Sequence, residues 1–147
     1  PVRSTVVEFA DGRKSEPYEL AQQMKFAADG RFVFASFQLN PPKNVLVVDG
    51  AEWPVYTDIG RVGLSPDGKI IAVPTKRGHQ WRISVNRQET AESYDAVLPV
   101  PPRFVAADTF EVWAVRDGQL YKVKVQVSGL DREPKHPASG PATRPGA

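Results

Sequence analysis

Asp58, Asp67, Asp95 and Glu111 are the acids that a metal-assisted or paired-carboxylate hydrolase or lyase would draw on in this chain. The two histidines, His79 and His136, have no serine, aspartate or second histidine at a spacing that would complete a catalytic set, so both read as loop residues. No cysteine is present, which removes thiol nucleophiles, thiolate metal sites and disulfides, and suits a reducing compartment. Asp29, Asp67 and Asp117 each stand immediately before a glycine. There the carboxylate can bond the local backbone while glycine accepts positive φ, and a turn explains these aspartates better than a metal site does. The residues therefore indicate no catalytic group, no cofactor and no metal. A divalent ion that strongly raised the melting temperature would argue for the enzymatic alternative.

Binding chemistry is better represented. Trp53 in "DGAEWP", Arg87 and Gln88 in "NRQETAE", and Lys76 and Arg77 in "TKRGHQWR" are the candidate partner-binding residues, in or beside turns between strands. A core role competes for Trp53, because interiors also reward large aromatics, and Trp81 and Trp113 inside strands are expected in the core. Basic residues near aromatics, in "TKRGHQWR" and "YKVKV", would also suit single-stranded nucleic acid. Yet Lys122 and Lys124 alternate with valines, the pattern of a solvated outer strand, where charge discourages edge pairing. Lysine and arginine total 19 against 17 acids, a net charge of +2, too even to imply nucleic acid. The expectation is a protein partner or self-association.

These residues sit on segments of alternating apolar character broken by glycine, proline and aspartate. "STVVEFA", "RFVFASF", "KNVLVVD", "KIIAV", "HQWRISV", "FEVWAV" and "QLYKVKVQV" read as strands, and "YELAQQMKFA", the best helical candidate, is short and uncapped. The chain is expected to be all-β. Tyr18, Tyr56 and Tyr94 recur every 38 residues; Asp11-Gly12 and Asp49-Gly50 keep that interval, as do Asp29-Gly30 and Asp67-Gly68. "AADTFEVWA" follows "AADGRFVFA" at 79 residues, two periods plus a three-residue insertion around "PVPPR". Phe9, Val47 and Val85 align in this frame, as do Val7, Val45 and Ile83. The implied unit has four strands: one bearing the tyrosine, one entering the Asp-Gly turn, one leaving it, and a last strand such as "QWRISVN". Repeated four-stranded sheets of this size stack around an axis as propeller blades.

"GLSPDGKIIAV", followed by "KRGHQWRISVN" and "YD", resembles the WD40-like or TolB-type (PD40) bacterial β-propeller repeat. The first copy reads "KFAADGRFVFAS". The third has Thr109 in place of the turn glycine, and Leu64 stands where that repeat has phenylalanine. The resemblance covers roughly residues 5 to 127 and implies a non-enzymatic recognition scaffold; it carries over no catalytic residue. "VVDGAEWPVY" is also similar to tryptophan-bearing propeller repeats of accessory subunits found with bacterial cytochrome redox complexes. The remaining alternative is a propeller-type hydrolase or lyase with an axial site.

The expected organisation is a repeat domain over 1–127, with units of about 13–50, 51–88 and 89–127 and an extra first strand at 4–10. Three blades fall short of the roughly four that a closed propeller needs. If each open flank exposes on the order of 500 Å² of apolar surface, covering it contributes about 12 kcal/mol gross at about 25 cal/mol per Å². Four outcomes follow: two half-rings combine, another polypeptide completes the ring, the chain is a piece of a longer propeller, or it closes without radial symmetry. Residues 128–147, with four prolines and three glycines, are expected to be an extended or disordered tail. No apolar run approaches a membrane span and no signal-peptide pattern precedes the strands, so a cytoplasmic location is expected, or a periplasmic one after signal removal.

Overall fold

A computed structural model describes residue 12 and residues 20–39 and 42–127. The expected strand at 4–10, Tyr18, the tail at 128–147 and His136 lie outside the described residues. The chain is all-β, and the described residues form three antiparallel sheets. The first sheet orders β1 (Leu20–Phe26), β2 (Phe32–Leu39), β3 (Pro42–Val48) and β4 (Ala51–Glu52) as a simple meander. In the second, β5 (Asp58–Ile59) and β6 (Gly63–Leu64) both pair with β7 (Ile71–Arg77), followed by β8 (Gln80–Val85) and β9 (Gln88–Glu89). In the third, β10 (Ala96–Val97) and β11 (Arg103–Ala106) both pair with β12 (Thr109–Arg116), which pairs with β13 (Gln119–Gln126). No helix of the described residues is long and apolar enough to cross a membrane.

Turn chemistry places the strands. Asp49-Gly50, Asn86-Arg87 and Asp117-Gly118 all have positive φ at both residues, the two-residue hairpin geometry that matches strand twist. In the "SPDG" turn, Asp67 Oδ1 accepts from Ser65 Oγ at 2.7 Å and from Lys69 N at 3.0 Å, while Ser65 Oγ accepts from Ile70 N at 2.9 Å. The bond from the Lys69 amide, with help from Ser65, holds the Asp67 carboxyl below its ordinary pKa. Asp67 is thus a turn residue. Gly68, at φ +76°, lies so close to the equivalent turn of the first sheet that a Cβ would stand 2.5 Å from the Asp29 nitrogen.

The sheets stack face to face. Val33, Leu46, Val48 and Trp53 of the first sheet pack with Val62, Ile71 and Val73 of the second. On its other face the second sheet sets Ile70, Ala72, Ile83, Val85 and Tyr94 against Phe110, Val112, Ala114, Val123 and Val125 of the third. Phe32, Phe34, Val45 and Val47 form a third cluster on the remaining face of the first sheet. These clusters correct the alignment drawn from the 38-residue period. Val47 and Val85 do not occupy equivalent places; they face opposite ways relative to the next sheet, because a one-residue slip turns a strand's side chains over. The true equivalents are Val33 paired with Val48 and Ala72 paired with Val85, all facing the following sheet. The spacing is one residue longer than the period on the second strand and one shorter on the third.

The order of strands within a unit also differs from the expectation. Tyr56 bridges back to Asn44 on β3, and Tyr94 to Trp81 on β8, so each tyrosine segment closes the preceding sheet instead of opening the next. "QWRISVN" accordingly supplies a third strand, and the turns in "DGAEWP" and "NRQETAE" link third strands to fourth.

The break between β5 and β6 has a local cause. Gly60 N donates to Pro74 O at 2.7 Å, but proline has no N–H to return the bond. Gln23 fills the gap: its Nε2 donates to Gly60 O at 2.9 Å and its Oε1 accepts from Val62 N at 2.9 Å. Gln23 holds φ +56° within a bulge of β1, a conformation that costs a non-glycine residue about 1–2 kcal/mol. Lys25 Nζ adds a bond to Val62 O at 2.8 Å, and burial, with help from the Arg61 charge, lowers its pKa.

Candidate functional site

The five nominated binding residues meet different fates. Trp53 is 5% exposed and belongs to the core between the first two sheets, so the exposed-anchor expectation is replaced by the packing one. Arg77 lies over the Tyr56 ring, 4.9 Å from its centre, and its Nε donates to Glu89 Oε1 at 2.8 Å. Lys76, half-buried, stands 5.9 Å from the Trp81 ring centre. Arg87 is exposed and Gln88 half-buried at the β8–β9 turn. The structure thus brings Arg77 into an inter-sheet lock and leaves Arg87 exposed at the β8–β9 turn.

That lock accounts for two members of the tyrosine period, Tyr56 and Tyr94. Tyr56 is buried beneath the second sheet, where its hydroxyl accepts from Ser84 Oγ at 3.3 Å, and Ser84 Oγ lies 2.7 Å from Thr75 Oγ1. Burial is the main reason the Tyr56 phenol titrates above its ordinary value. At the next seam Arg116 repeats Arg77: it lies 5.3 Å from the Tyr94 ring centre and donates to Glu92 Oε2 at 2.9 Å. The hydrogen bond to Glu92 leads the causes that raise the Arg116 pKa. The spacing of the tyrosines was visible in the sequence; the arginine lids were not, since they follow the second-strand spacing and not the tyrosine spacing.

Among the described residues, two open surfaces carry the candidate side chains. The larger is a groove of about 590 Å³ along the first strands, lined in part by Gln22, Gln23, Asp58, Arg61, Trp81 and Pro99. Asp58 Oδ1 already accepts its neighbour's amide, Ile59 N, at 2.8 Å. The other acids considered for hydrolysis stand elsewhere: Asp67 in its turn, Asp95 accepting from Asp117 N at 2.9 Å, and Glu111 on the third sheet. Among the described residues no three acids or histidines cluster to hold a metal. His79 is exposed in the β7–β8 turn.

The second surface is the outer face of the third sheet. Trp113, expected in the core, is 40% exposed there, because Val112 and Ala114 on either side take the packed face. Lys122 Nζ stands 5.9 Å from its ring centre. Glu111 lies 3.6 Å from Arg103 and 3.8 Å from Lys122, and Lys124 is exposed beside them. A hollow of about 210 Å³ is lined by Val100, Pro101, Arg103, Glu111, Trp113 and Lys122. The expectation of an oily flank is therefore corrected at this end: Glu111, Trp113, Lys122 and Lys124 take the places that Ala72, Pro74, Ile83 and Val85 hold on the second sheet. No family model, curated protein or solved structure matches the chain.

Proposed function

We propose that this chain is a non-enzymatic β-propeller-type scaffold, of the WD40-like or TolB-type kind, that mediates protein–protein interaction or assembly as a homo-oligomer or as a subunit of a larger complex. The observation that most supports the reading is the repetition of one seam. Successive sheets meet through equivalent apolar faces, and both seams are locked by a tyrosine under an arginine that an adjacent glutamate holds. Units joined this way depend on neighbours for stability and leave broad faces and rims for partners. Trp113 among charged residues is the kind of aromatic anchor that such surfaces use.

Native mass spectrometry of the purified chain over a range of concentrations tests the reading. A dimer, a higher assembly or a stoichiometrically retained protein is expected. A monomer that retains nothing at every concentration overturns it.

A further inference from the structure

We propose that the groove where the first strands of the three sheets converge binds a free α-amino acid with a large apolar side chain, its carboxylate on Arg61 and its ammonium group on Asp58. This goes beyond the scaffold reading and stands independently of it. Each sheet interrupts its first strand at the same place. β1 shifts register between Gln22 and Lys25, β5 and β6 are parted by Gly60, Arg61 and Val62, and β10 and β11 by residues 98–102. Gln22, Gly60 and Leu98 stand 38 residues apart, as do Gln23, Arg61 and Pro99, and all six line the groove of about 590 Å³. Ladder breaks and strained backbone, such as Gln23 at φ +56°, are costs that folds concentrate beside binding sites, where they re-aim side chains out of the sheet.

The uncommitted groups select the ligand. Arg61 is exposed, and among the described residues its guanidinium has no hydrogen bond or ion pair; nor does the exposed amide of Gln22. Asp58, three residues before Arg61, gives Oδ1 to Ile59 N at 2.8 Å and keeps Oδ2 available. Lys76, its cross-strand neighbour, stands instead 5.9 Å from the Trp81 ring centre. A simple anion would satisfy Arg61 and be opposed by Asp58, and a simple cation would meet the reverse. A ligand that carries both charges on neighbouring atoms satisfies the two together, with its carboxylate taking paired N–H bonds from the guanidinium. The remaining wall is apolar, built by Ile59, Trp81, Val97, Leu98 and Pro99, and it leaves room for a large side chain. A mostly apolar lining with a few polar groups that fix orientation is the usual make-up of a small-molecule site.

The test is calorimetric titration of the full chain at neutral pH with L-phenylalanine and with analogues that each lack one feature. N-acetyl-L-phenylalanine has no ammonium group, L-phenylalaninamide has no carboxylate, and glycine has no side chain. Phenylalanine should bind, and each of the three should bind at least about tenfold more weakly, the worth of one charge-assisted contact or of the buried ring. Arg61→Gln should weaken phenylalanine at least about tenfold and leave the affinity for the amide unchanged. Asp58→Asn, which keeps the acceptor for Ile59 N, should weaken phenylalanine likewise and leave the affinity for the N-acetyl derivative unchanged. Both substitutions fall at exposed positions, so the parent circular dichroism spectrum should be retained. Phenylalanine binding weaker than about 10 mM, indifference to both substitutions, or equal affinity for glycine would overturn the proposal. Tighter binding of glucuronate or of the tripeptide Phe-Ala-Phe would overturn it in favour of a sugar acid or a peptide.

Discussion

The second and third sheets present the same pair of strands to very different surroundings. On the second, Ala72, Pro74, Ile83 and Val85 face a following sheet and are sealed from water. On the third, Glu111, Trp113, Lys122 and Lys124 stand in register with them and face outward. Backbone pairing is therefore indifferent to what lies above it; the side chains at four positions decide whether a face becomes a seam or a surface. A terminal unit with a polar outer face is how stacked repeats end without aggregating. Here the polar face retains one large aromatic, Trp113, exposed among Arg103, Glu111 and Lys122.

The comparison breaks most visibly if the two faces are exchanged. Val85→Lys gives the seam the side chain that Lys124 carries at the surface, and buries an ammonium group among apolar neighbours with no partner. It is expected to destabilise by more than about 4 kcal/mol, enough to unfold a small domain. Lys124→Val, the reverse exchange, should stay within about 0.5 kcal/mol. Urea unfolding followed by far-ultraviolet circular dichroism measures both. Equal effects would mean that the third sheet does not sit against Val85.

Much of this architecture was legible because it is local. Alternation marked the principal strands, and the Asp-Gly pairs marked the turns, since both depend on a few adjacent residues. The tyrosine period was legible as spacing, but its partner was not: Tyr56 meets Arg77 through the sheet stack, and no local pattern announces that contact. Which face a strand turns inward was misread at Val47 and Val85, because hairpins of different length shift the register while leaving the mean period intact. Trp113 was misread for a related reason. Its type suggests a core, and only the absence of a following sheet among the described residues leaves it exposed.

The first seam differs from the second in using side chains to mend a broken ladder, and Gln23→Ala sharpens that difference. The variant strips partners from Gly60 O and Val62 N, and Val62 is fully buried. A cost of about 1–3 kcal/mol is expected from the unpaired groups. Pro74→Ala restores a donor opposite Gly60, so the double variant should cost less than the two single changes added together. Strict additivity in thermal unfolding would show that the proline does not create the gap that the glutamine fills.

The smallest effect lies in the polar contact beneath the lock. At the first seam Tyr56 reaches Ser84 and, through it, Thr75; at the second, the corresponding positions are Val123 and Ala114. Tyr56→Phe should cost about 1 kcal/mol at neutral pH, the worth of one hydrogen bond. Its pH dependence carries more information. Burial raises the Tyr56 pKa, so the folded protein holds this proton more tightly than the unfolded chain, whose tyrosines titrate near pH 10. The stabilising contribution is complete below that pH and is lost as pH rises through the folded value. Lys25, whose pKa burial lowers, shifts stability in the opposite direction, but it does so in parent and variant alike. The difference between the two proteins therefore isolates the tyrosine: it should be constant to about pH 10 and shrink above it. A difference that stays level through the alkaline range would place the phenol in water, and the arginine lid with it.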